Sequence, residues 1–164
     1  MSVGSVFLWG FVATIVLTTI MSAAQGLGFS RMSMPYIVGT MFTPDRGRAG
    51  IIGFGAHVVN GWVFAILYAL AFESWGRATW WLGAGIGAVH GLAVLVALMP
   101  VLPGFHPRMA NEERGPEPTR SLEPPGFMAL NYGSRTPLVT MVAHVAYGAV
   151  LGAFYHVARR LPSG

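Results

Sequence analysis

Ala56-His57-Val58-Val59-Asn60-Gly61-Trp62-Val63, running on to Tyr68, decides how this chain is read, because it returns as Ala143-His144-Val145-Ala146-Tyr147-Gly148-Ala149-Val150, running on to Tyr155. The offset is 144 − 57 = 87 residues. Holding it outward also pairs Gly39 with Gly126, Met41 with Met128, Arg48 with Arg135 and Ala71 with Ala158. Ten identities without a gap over residues 39 to 71 point to an internal duplication.

Both copies lie in long apolar runs, and the composition says why. Of 164 residues, 54% are hydrophobic and only 10% are charged, where a soluble domain carries roughly 25% charged residues. The chain therefore reads as a single integral membrane domain over residues 1–164. A bilayer-crossing helix needs about 20 mostly apolar residues, and four segments meet that length, at about 5–28, 49–72, 80–102 and 137–158. The expected fold is all-α: a four-helix membrane bundle made of two duplicated transmembrane hairpins. The first segment lacks the basic start of a signal peptide and is expected to be retained.

All ten fixed positive charges are arginines. They read as interface anchors and topology signals, not as the basic, solvated face that a nucleic acid needs. The connectors at 29–48 and 100–136 hold Arg31, Arg46, Arg48, Arg108, Arg114, Arg120 and Arg135, against Arg77, Arg159 and Arg160 on the other side. The positive-inside rule then puts the longer connectors in the cytoplasm, with a bacterial inner membrane as the expected location. With no cysteine, disulfides, thiolate metal sites and cysteine nucleophiles are excluded.

Local signals refine the layout. Thr43-Pro44 and Thr136-Pro137 read as matching starts of the second and fourth helices. Trp75, Trp80 and Trp81 mark one membrane surface, and the short turn between them makes the second and third helices antiparallel neighbours. Thr14, Thr18, Ser22 and Gln25 recur on one face of the first helix. Gly83, Gly87 and Gly91 form a small-residue face on the third, with His90 about two turns beyond Gly83. Residues 103–136, rich in proline and charge, read as a solvated, irregular loop. Tyr68 and Tyr155 read as aromatic-belt anchors.

Ionisable residues inside a span usually face the bundle interior, and His57, His90 and His144 lie within the predicted spans. Three chemistries follow. His57 and His144, at matched depth, could ligate haem b or a chlorophyll-type pigment, with Gly61 and Gly148 giving room for a flat ring and Arg48 and Arg135 near the surface to pair with propionates. His57, His90 and His144 could instead hold a metal ion, although a bare metal site more often recruits carboxylates and no Asp or Glu lies in a span. Alternatively, a histidine beside a glycine on a packed helix serves as an interhelical hydrogen-bonding residue.

No nucleophile elbow, phosphate-binding loop or zinc-protease pair occurs, so the leading expectation is a non-catalytic protein. It would be an accessory or anchor subunit of a larger respiratory or photosynthetic membrane assembly, docking other subunits or copies of itself through its small-residue faces. A cytochrome or pigment-binding protein is the second reading. A small carrier or membrane enzyme with its site between Thr14, Thr18, His57, His90 and His144 is the third.

Overall fold

The computed structural model describes residues 2–111, 118–120 and 122–157, whose regular structure is helical apart from isolated bridges such as that between Met109 and Leu122. Among these residues four helices are long and apolar enough to cross a membrane: α1 (Val3–Gly26), α3 (Arg46–Trp75), α4 (Trp80–Phe105) and α5 (Thr136–Phe154). A short helix, α2 (Met34–Phe42), precedes α3, and a 3₁₀ turn (Phe127–Tyr132) precedes α5. Ala158, Arg114, Arg159 and Arg160, used above for the repeat and the topology, lie outside the described residues.

Helix ends follow local chemistry. Asp45 caps α3, its Oδ1 accepting from the Arg48 N–H at 2.7 Å, because a carboxylate both satisfies an orphan donor and complements the helix dipole. The expected Thr43 cap instead accepts from the Asp45 N–H at 3.2 Å. Gly76 ends α3 at φ +69°, a left-handed backbone that favours glycine. Within α4, Pro100 has no N–H to give, and the Met99 N–H reaches back five residues to Val94 O, widening Val94–Leu98 into a π turn.

The helices are paired by glycine. A Cβ on Gly83 would overlap the Gly148 carbonyl oxygen, and one on Gly148 would overlap that of Gly83. Gly87 meets the carbonyl of His144, and Gly152 that of Thr79, in the same way. The backbones of α4 and α5 therefore touch, the close approach that small residues permit between apolar helices. On the other side, Gly10 faces Ala65 and Gly61 faces Thr14, joining α1 to α3. Gly39 against Ala49 and Gly53 against Pro35 lay α2 along α3. Trp9 stacks on Phe154 with ring centroids 4.5 Å apart, tying α1 to α5.

This pairing corrects one expectation. Although only a tight turn separates them, α3 and α4 do not pack backbone against backbone. Each is drawn to a different partner, and Phe64, Tyr68 and His90 reach across the gap between them.

The long connector is largely irregular in its described parts and exposed at many positions, but it is not solvated throughout. Met109 and Ala129 are fully buried, as is the ring of Pro125. Met128 and Ala129 adopt left-handed backbone at φ 53° and 58° to turn the chain inward. The two connectors lock together: Arg31 pairs with Glu123 at 2.9 Å and donates to Asn131 O at 2.5 Å, its own N–H bonds Tyr132 O at 2.8 Å, and Ser30 Oγ lies 2.9 Å from Thr136 Oγ1. Prolines end regular structure without preventing burial when the remaining polar groups find partners.

His106 is the second clip. Its buried Nε2–H donates to Ile37 O at 3.0 Å while Nδ1 accepts from the Arg108 N–H at 3.1 Å, which fixes a neutral ring. Thr40 Oγ1 lies 3.5 Å from the same Nε2, and the Arg108 guanidinium donates to Thr40 O. Burial, with Arg108 nearby, holds the His106 pKa below its ordinary value of 6.5.

Two predictions follow from these contacts. Gly83→Leu should lower stability by at least about 1–3 kcal/mol through overpacking, measured by denaturant titration in detergent. Gly85→Leu, where a Cβ meets open space, should be nearly neutral. For His106 the opened state binds the proton more readily than the closed one, so closure weakens as pH falls below about 6.5. Hydrogen-exchange protection of α2 should drop between pH 7 and 5, and His106→Asn should abolish that dependence.

Candidate functional site

The gap left between α3 and α4 holds a cavity of about 60 Å³ at the centre of the bundle. His57 reaches it from α3, His90 from α4 and His144 from α5, joined by Thr14 of α1, Asn60, Thr140 and Tyr147. Among the described residues no charged side chain lines it; the rest of the wall is apolar, including Met21, Met32 and Met34. The three histidines that the sequence places within the apolar helices therefore share one site.

Two of the rings are held in place. The His144 Nδ1–H donates to Thr140 O at 2.8 Å, leaving Nε2 as the acceptor. His90 stacks on Phe64 with centroids 3.9 Å apart, meets His144 edge-on at 4.7 Å, and has Nδ1 3.3 Å from Tyr68 Oη. Tyr147 donates to Gly61 O at 2.6 Å and packs edge-on against Tyr68 at 5.4 Å. His57 differs: both of its ring nitrogens are shielded from solvent and neither has a protein partner. Thr140 Oγ1 is likewise buried without a partner. Buried polar atoms in native proteins nearly always find a partner in protein or ordered water, so these orphans, in the lining of one cavity, call for an occupant.

A tetrapyrrole does not fit. Cofactor-sized sites run to roughly 300–1,000 Å³, well above this cavity. The room expected beside the two glycines is filled by protein: Gly61 is covered by Thr14 and Gly148 by the Gly83 backbone. Arg48 is exposed on the first turn of α3, and the exposed Arg135 sits over the Phe29 ring at 4.8 Å. Nor, among the described residues, do three His, Asp or Glu side chains converge closely enough to share a metal ion. His57, His90 and His144 line one chamber without forming a three-ligand cage.

Several roles were not legible in advance. Tyr68 and Tyr155 are buried, not belt anchors; Tyr155 donates to Glu73 Oε1 at 2.7 Å. Thr14 lines the cavity while its hydroxyl donates to Gly10 O at 2.7 Å; Thr18 donates to Thr14 O at 2.8 Å and stands outside the lining, and Ser22 is exposed. Thr140 and Tyr147 carried a usable signal, since they lie four residues before and three after His144 and so share its face. The small-residue face expected to seat another subunit, Gly83, Gly87 and Gly91, is covered by α5. Comparison of the chain with family models, with curated proteins and with solved structures finds no match.

Proposed function

We propose that the protein is an integral membrane carrier or conduit for a small, neutral, hydrogen-bonding solute, with the cavity around His57, His90 and His144 as its site. The observation that carries this reading is that the unpartnered imidazole of His57 and the unpartnered hydroxyl of Thr140 line the same cavity. An ionisable side chain inside a membrane bundle is costly and marks a pathway or site by default. A neutral imidazole offers one donor and one acceptor, which suits a molecule that does both, such as water, a hydroxyl compound or an amide. The absence of charge in the lining favours a neutral solute. The volume of about 60 Å³ limits it to a few heavy atoms or a small cluster of water molecules, each needing roughly 10–15 Å³.

Insertion of α1, α3, α4 and α5 in a bilayer is supported by their outward faces, where Phe11, Val59, Val63, Leu67, Val89, Leu138 and Val142 are all at least two-fifths exposed. The duplicated-hairpin origin is supported by the matched glycines: Gly61 joins α3 to α1 as Gly148 joins α5 to α4. The excess of arginine on the connectors supports a cytoplasmic location for that end.

Protein reconstituted in liposomes should raise the permeability to water or urea above that of protein-free vesicles, read by stopped-flow light scattering, and His57→Leu or Thr140→Val should remove the increment. The same His57→Leu protein should be as stable as the wild type or more stable by about 1 kcal/mol, because it no longer buries an unpartnered polar ring. Permeability no higher than that of empty vesicles, or unchanged by both substitutions, would overturn the reading.

A further inference from the structure

A second cavity lies at the connector end, away from His57, His90 and His144. It has a volume of about 350 Å³, within the range of ligand pockets, and sits between α2, the start of α3 and the long connector. Arg46 and Arg108 line it, with the hydroxyl residues Tyr36, Thr40 and Thr119 and the apolar Leu122. Among the described residues no acidic side chain is in the lining. Among the described residues neither arginine is paired with a carboxylate. One guanidinium nitrogen of Arg108 is spent on Thr40 O, which anchors the fork and leaves its other donors available. Arg46 is the first residue of α3, where unsatisfied backbone N–H groups and the helix dipole favour an anion. Asp45 stands beside it, but its carboxylate is turned to the Arg48 N–H and is not part of the lining.

We infer that this pocket binds a phosphate group. The planar guanidinium fork of arginine bonds two phosphoryl oxygens at once, which no other side chain does, and the hydroxyl residues add neutral hydrogen-bonding groups. Leu122 and the adjoining prolines offer an apolar wall for whatever carries the phosphate. Two sources share this chemistry: the headgroup of an anionic lipid, which basic pockets at the ends of membrane helices take, and a soluble phosphate. The inference does not depend on the histidine cavity.

Protein purified in a non-ionic detergent is titrated with phosphatidylglycerol, with phosphatidylcholine and with inorganic phosphate, and the thermal midpoint is followed. A rise with phosphatidylglycerol but not phosphatidylcholine, half-saturating at a concentration about tenfold higher in Arg46→Gln or Arg108→Gln, supports the site with a lipid source. The same pattern with inorganic phosphate supports it with a soluble source. Arg77→Gln, at the opposite end of the bundle, should change neither. Arg46→Gln keeps the test sound should Arg108→Gln lose its link to Thr40 and fold poorly. No rise with either phosphate, or a rise that all three variants retain, overturns the proposal.

Discussion

The contact between α4 and α5 governs the rest of the molecule. Because Gly83 and Gly148 have no side chains, their backbones touch, and the dispersion contacts of two bare helix surfaces replace the contacts that larger residues would make. That commitment has a geometric consequence elsewhere. With α4 drawn to α5 and α3 drawn to α1, the two helices that are consecutive in sequence are left apart, and the space between them must be filled by long side chains or left open. Phe64, Tyr68 and His90 fill part of it; the remainder is the cavity.

What lines that space is polar in a restrained way. Imidazole, hydroxyl and amide groups enter, but among the described residues no carboxylate or guanidinium does. His144 and His90 are tied to Thr140 and Tyr68, so their orientations are fixed, whereas His57 is held by packing alone with both nitrogens turned to nothing in the protein. Rigid neighbours around one unfilled hydrogen-bonding group make a site whose specificity comes from shape and from the donor and acceptor it lacks.

The connector end shows the opposite use of polarity. There the donors and acceptors are matched almost one to one: Arg31 with Glu123 and Asn131, His106 with Ile37 and Arg108, Tyr132 with Glu123 O at 2.6 Å. These bonds tie the proline-rich segments to the shorter connector and to α2, and Arg46 and Arg108 line the pocket at the same end.

The linear chain by itself determined the four apolar helices, to within a few residues at each end, because a run of about 20 apolar residues has few other stable fates in or out of lipid. It also determined that His57, His90 and His144 belong inside, since a buried ring on an apolar helix has nowhere cheaper to go than the bundle interior. The tertiary structure alone decided what the glycines are for. On a single helix a glycine reads equally as room for a cofactor, a face for a partner or a seat for a neighbouring backbone. Only the neighbour's position distinguishes these, and at Gly61 and Gly148 the neighbours are Thr14 and Gly83. The burial of His106, Met109 and Tyr132 was hidden for the same reason: their partners lie across the two connectors, in contacts that no local period or spacing encodes.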